Sequence, residues 1–179
     1  MILEPLALEG AYLVHGYRMA DERGWFWKNY QDTAFGHLGL EFECRETFFS
    51  MSSSGVLRGM HFQLPPKAHN KLVTCLSGEV FDVLLDMRKN SLTFGKAISV
   101  KLNSEGDVSV FVPIGLAHGF YVMTERAMMC YQTSIPYDPN SDSGVNWNSI
   151  AVDWPITQQP VLSERDQGLP PWRPCYSPF

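Results

Sequence analysis

A chain of 179 residues is the size of one ordinary domain with a sizeable core, and 45% hydrophobic content is that of a globular protein. A net charge of −5 argues against nucleic acid and anionic membranes as partners, although a local basic pocket can still hold a phosphorylated ligand. No apolar run approaches the ~18 residues of a membrane helix, and residues 1–14, with Glu4 and Glu9 and no basic start, lack the pattern of a secretory leader.

In chain order, residues 11–17 read as a strand and Asp21-Glu22-Arg23-Gly24 as a charged turn. Trp25-Phe26-Trp27 leads into a short helix over 29–35, ended by Gly36 and Gly39. Residues 40–49 alternate weakly as a strand, and 50–55 form a small-residue loop able to close over a pocket. After a strand-like run over 55–66, residues 71–76 and 79–86 flank Ser77-Gly78 in a Val- and Leu-rich hairpin pattern. Strands at 95–102, 108–113, 115–123 and 127–134 follow, separated by polar turns. Short strands spaced by roughly ten residues are the signature of an all-β sandwich or barrel. From Tyr137 onward the chain is rich in Pro, Asn, Ser and Asp, and the segment 162–179 is expected to wrap the barrel as an ordered arm. Trp147, Trp154 and Trp172 need surfaces to bury against. One domain is therefore expected over residues 1–179. Cys44, Cys75, Cys130 and Cys175 form no C-x-x-C pair, so free thiols in a reducing cytoplasm are expected.

The stretch Gly55-Val56-Leu57-Arg58-Gly59-Met60-His61-Phe62-Gln63-Leu64-Pro65-Pro66, with Lys71 close behind, puts a base, two cations and an amide into one segment. Side chains alternate along a strand, so Gly59, His61 and Gln63 share one face and Met60 and Phe62 the other. If the apolar face packs outward against a second sheet, His61 looks into a cavity lined by the remaining strands. A surface His on an edge strand is the plainer reading of a lone His, but here polar groups accompany it. His15, His37 and His69 have no such company and read as surface residues.

Two fragments resemble the cupin signatures. Pro113-Ile114-Gly115-Leu116-Ala117-His118 is similar to the second motif, and residues 55–61 carry the Gly and first His of the first. A metal-binding cupin places a second His and a Glu where this chain has Gln63 and Lys67. His61 and His118 are two ligands, and Lys71 repels a cation, so a metal-free site with no cofactor is expected. A metal-dependent cupin enzyme is the alternative. Residues 21–24, 56–63, 71–73, 78–83, 113–120, 144–148 and the run Leu162-Ser163-Glu164-Arg165-Asp166 together resemble the dTDP-4-dehydrorhamnose 3,5-epimerase family, in order and over nearly the whole chain. The resemblance implies a cupin-type jelly roll with short helices, a homodimer, and a nucleoside-diphosphate 4-keto-6-deoxy sugar as substrate.

Epimerisation next to a ketone needs a base on one face, a proton donor on the other, and cationic or donor groups on the oxygen where enolate charge develops. His61, with an ordinary pKa of ~6.5, is the candidate base. By resemblance Asp166 from the arm fixes its tautomer, Tyr131 is the opposite-face acid, and Lys71 stabilises the enolate oxygen. The resemblance also puts Arg23, Arg58 and His118 around the ligand, Phe26 in the same cleft, and Tyr137 against the nucleobase. Gln63 joins the binding set from the polar strand face, and Asp82 is placed to orient Lys71 or His118. Having both His61 and Tyr131 argues against a non-catalytic sugar-nucleotide binder. The chain departs from the family pattern at Met19, at Lys28, and at Glu46-Thr47-Phe48, which replace an aromatic, a carboxylate and a Gln-x-Asn pair. Lys28, Glu46 and Phe48 are therefore counted among the substrate-binding positions. They lead to the expectation of a non-thymidine nucleotide, such as a CDP-linked sugar.

Overall fold

The computed structural model describes residues 1–179 except for the side chain of Tyr176. Its elements are β1 (Ile2–Pro5), β2 (Tyr12–His15), β3 (Tyr17–Asp21), β4 (Gly24–Lys28), α1 (Asp32–His37), β5 (Glu46–Ser53), β6 (Leu57–Gln63), β7 (Lys71–Ser77), β8 (Glu79–Asp86), β9 (Ala97–Asn103), β10 (Val108–Val112), β11 (Leu116–Val122), β12 (Arg126–Thr133), β13 (Asp142–Gly144) and α2 (Glu164–Gln167). Two antiparallel sheets face each other as a cupin-type jelly roll: β1-β2-β10-β7-β12-β5 and β13-β6-β11-β8-β9. β3 and β4 form a separate two-stranded ribbon. Among the described residues no helix is long and apolar enough to cross a membrane.

Inward side chains of both sheets make the central core. Val73, Val110 and Met129 of the first sheet meet Val80, Leu84, Leu102 and Phe120 of the second. The outer face of the second sheet is covered as well. Met60 and Phe62 point outward into a cluster with Val83, Leu85, Trp154, Trp172 and Phe179. Burying two such side chains is worth ~1.5–3 kcal/mol each. The cover is the C-terminal arm, not the second sheet anticipated from the alternation. The arm is tied down by backbone bonds, among them Leu57 N–H to Val161 O at 3.0 Å and Asn146 N–H to Pro170 O at 2.7 Å. It thereby brings α2 against β6.

Several elements differ from the sequence reading. The 71–86 segment is not a hairpin: β7 pairs with β10 and β12, while β8 pairs with β9 and β11, so Ser77-Gly78 is a corner between sheets. Gly78, at φ 79°, is required there because a Cβ would lie 2.1 Å from Arg126 O. The segment 50–55 is no lid. β5 begins at Glu46 and pairs with β12 from Glu46↔Thr133 to Ser53↔Arg126, so the ladder overrides the weak strand propensity of its serines. Trp25-Phe26-Trp27 is strand within the β3–β4 ribbon, and the helix starts later, at Asp32.

Candidate active site

The site grows from an irregularity in β6. His61 pairs with His118 of β11 and Arg58 with Phe120, so Gly59-Met60 lies opposite Gly119 alone, as a bulge. Plain alternation would send Arg58 and His61, three apart, to opposite faces. The bulge turns both toward the space between the sheets, where both line a cavity of about 410 Å³. Two glycines permit it: a Cβ on Gly59, at φ 138°, would sit 2.5 Å from Gly119 Cα, and one on Gly119 would sit 2.8 Å from Arg58 O. Lys71 opens β7 and Tyr131 lies on β12, so the facing sheet supplies the opposite wall.

His61 Nε2 lies 2.5 Å from Asp166 Oδ1, and Asp166 is 2% exposed. An ionised carboxylate only accepts, so the imidazole donates from Nε2 and Nδ1 keeps its lone pair. Ser163 seats the carboxylate by capping α2, its Oγ accepting from the Asp166 N–H at 3.1 Å. Arg165 Nη1 donates to the same Asp166 oxygen at 3.1 Å, and its other nitrogens hold Asp142 at 2.8 and 2.7 Å. Burial pushes His61 below its ordinary pKa; the Asp166 contact opposes this, and the charges of Arg165 and Lys71 add to it. Burial alone would raise Asp166, but the His61 hydrogen bond and charge, with Arg165, hold it low. The pair therefore rests as neutral imidazole beside carboxylate, the state a base needs.

Across the cavity, Tyr131 is 7% exposed, with its hydroxyl 3.2 Å from Ser50 Oγ. Burial raises its pKa, with Ser50 only partly offsetting, so the phenol keeps its proton. The Phe48 ring stacks on Tyr131 at 4.7 Å and 12°. Lys71 Nζ donates to His61 O at 3.2 Å, and burial lowers its pKa to about 8 despite Asp142. His118 donates from Nε2 to Asp82 Oδ2 at 2.7 Å, so Asp82 orients His118 and not Lys71. Among the described residues no three His, Cys, Asp or Glu converge as a metal-ligand set. A neutral base and a protonated acid on facing walls, with a cation between, suit proton removal and return beside a carbonyl.

Of the residues named from sequence, His61, Lys71, Tyr131, Arg58, Gln63, His118, Glu46, Phe48 and Tyr137 line this cavity, and Asp166 backs it. Arg23, Phe26 and Lys28 do not. They sit exposed on the β3–β4 ribbon, which belongs to neither barrel sheet, and Arg23 pairs with Asp21. His69 is not a surface residue: it lines the cavity, with Nδ1 2.9 Å from Gln63 Nε2. Asp142 and Arg165 also line it and were not anticipated. Arg165, adjacent to Asp166 in the quoted motif, was the available signal. Asp142 sits in a strand of three residues without periodicity and gave none.

The family model for dTDP-4-dehydrorhamnose 3,5-epimerase matches residues 5–173. The dTDP-4-dehydrorhamnose 3,5-epimerase of Escherichia coli is 40% identical over 165 residues, 90% of this chain and 89% of that protein. The crystal structure of that enzyme from Elizabethkingia anophelis superposes with a TM-score of 0.91 at 39% identity, covering 96% of each chain. A Legionella pneumophila dTDP-6-deoxy-D-glucose-3,5-epimerase, solved in complex with dTDP-4-keto-L-rhamnose, gives 0.89 at 32% identity over 96% of this chain and 98% of its own.

Proposed function

This chain belongs to the dTDP-4-dehydrorhamnose 3,5-epimerase family, and from that membership we propose that it inverts C3 and C5 of a dTDP-linked 4-keto-6-deoxy sugar. The observation that carries the reading is the pairing of the neutral His61–Asp166 base with the protonated Tyr131 on the facing wall. His61 Nδ1 removes the proton beside the ketone. The electrons move into the carbonyl, and the resulting enolate oxygen is met by the Lys71 ammonium. Tyr131 then delivers its proton to the opposite face of the same carbon, which inverts the centre. Solvent restores both residues. Arg58, whose Nε holds Ser52 Oγ at 3.0 Å, directs its remaining donors to the diphosphate.

Thymidine is the proposed nucleoside, supported by the ligand of the Legionella enzyme. Two of the three positions behind the non-thymidine expectation are otherwise engaged: Glu46 holds the Tyr137 N–H and Phe48 lies on Tyr131. Calorimetric titration with dTDP, UDP, CDP and GDP is expected to rank dTDP at least tenfold tightest, ~1.4 kcal/mol. Tighter CDP binding would overturn the assignment.

The rate should follow a bell in pH, read as kcat/KM. His61 must be neutral to accept a proton, and its pKa is pushed below 6.5, so the acid limb falls below pH 6.5. Lys71 loses its charge as pH rises through about 8, which sets the basic limb there. A profile still level at pH 10 would remove the Lys71 charge from the mechanism.

A homodimer is part of the same proposal. The family resemblance puts Arg23, Phe26 and Lys28 at the ligand, yet none of them lines the cavity of its own chain, which points them to the cavity of a second copy. Met19 and Trp25 on the ribbon, each 57% exposed, give it an apolar surface to bury. Sedimentation equilibrium returning a monomer at micromolar concentration would contradict this.

A further inference from the structure

The loop over residues 134–141 borders the cavity mouth, and two of its consecutive backbone N–H groups are caught from opposite sheets. Glu46 Oε2, on β5, accepts from the Tyr137 N–H at 2.9 Å. Gln63 Oε1, on β6, accepts from the Asp138 N–H at 2.7 Å. The Gln63 amide has one workable orientation, because its Nε2 donates to Lys67 O at 2.8 Å and to His69 Nδ1 at 2.9 Å. His69 must then carry its hydrogen on Nε2. Burial, followed by the Lys71 charge, lowers its pKa to about 3, so the ring stays an acceptor at any working pH. Gln63 is 3% exposed, which shields these bonds from water, while Tyr137 stands 58% exposed at the cavity.

We propose that Glu46, Gln63 and His69 are positioning residues, a two-sided clamp on the 137–138 backbone that holds the Tyr137 ring where the nucleobase stacks. This rests on the reading of Tyr137 as the base-stacking ring. A clamped loop has lost its freedom before the ligand arrives, whereas a loose one must be ordered at the ligand's expense. The clamp therefore acts on binding of the nucleoside end and much less on the reacting carbons, and its loss should raise KM more than it lowers kcat. It also gives Glu46 a different task from touching the base. A Glu46 that touched the ligand would matter with or without Tyr137, whereas a Glu46 that acts through Tyr137 matters only while that ring is present.

The test is a double-variant cycle read by calorimetric titration with dTDP, and with pyrophosphate as a ligand lacking the nucleoside. Glu46→Ala and Tyr137→Ala are each expected to weaken dTDP about tenfold, ~1.4 kcal/mol, and the double variant no further than Tyr137→Ala alone. Glu46→Gln, which keeps a carbonyl acceptor, should restore dTDP affinity to within about twofold of wild type. Pyrophosphate affinity should not change, and His69→Leu should repeat the Glu46→Ala pattern. Additive losses in the double variant, or equal losses of dTDP and pyrophosphate affinity, would overturn the clamp. Wild-type dTDP affinity in Glu46→Ala beside an impaired Tyr137→Ala would overturn the clamp and leave the stacking reading standing. Undiminished dTDP affinity in Tyr137→Ala would overturn both.

Discussion

His61→Asn is expected to lower epimerisation by on the order of 10³–10⁴-fold, the upper range for a positioned acid or base, and to stop hydrogen exchange at every reacting carbon. Asparagine is shorter than histidine and does not reach the Nε2 position that contacts Asp166, and its amide has no lone pair basic enough to take a carbon-bound proton. Lys71, a cation near neutral pH, cannot stand in. Asp166→Asn should also be severe, by up to about 10⁴-fold, with nucleotide affinity kept: it removes the charge that stabilises the imidazolium as it forms and no longer fixes the tautomer that leaves Nδ1 basic. Solvent exchange followed by NMR checks both variants. Exchange at the wild-type rate in His61→Asn would take the base assignment away from His61.

Tyr131→Phe is the second large effect, and it should separate two rates that move together in the wild type. The ring keeps its stack on Phe48, and the change leaves Ser50 without one hydrogen-bond partner. With the phenol gone, His61 can still remove a proton and return a solvent-derived one to the same face. Deuterium should therefore continue to enter the substrate without inversion. Inverted product should fall by on the order of 10²–10⁴-fold, while wash-in falls less than tenfold. The comparison is internal to one sample, so it does not depend on matching enzyme concentrations. Equal losses of wash-in and inversion would mean that Tyr131 positions the sugar or stabilises the enolate and does not supply the second proton.

What the sequence disclosed of the fold followed from local chemistry. Period-two alternation in 57–63 and evenly spaced turns are properties of neighbouring residues, so the all-β class and the buried Met60–Phe62 face could be read directly. The Ser77-Gly78 turn was legible as a turn, but whether it joins partners or crosses between sheets depends on hydrogen bonds made far away in sequence. The same holds for β5, whose serines become strand because β12 offers a complete ladder. At the site, the His61 face could be anticipated. The bulge that brings Arg58 onto that face could not, since it needs Gly59 and Gly119 back to back across two strands. His69 was misjudged for a related reason: an isolated His carries no signal until Gln63 is seen bonded to its ring. Asp166 became a candidate through family resemblance, and its burial beside His61 depends on how the arm folds back.

The measurement that bears most directly on an enolate mechanism with an opposed base and acid is NMR of the wild-type enzyme turning over a dTDP-4-keto-6-deoxy sugar in deuterated water. One solvent deuteron is expected at each inverted carbon of the product. Inverted product that keeps its original hydrogen at those carbons would contradict it, because a proton taken by His61 and one given by Tyr131 cannot be the same proton.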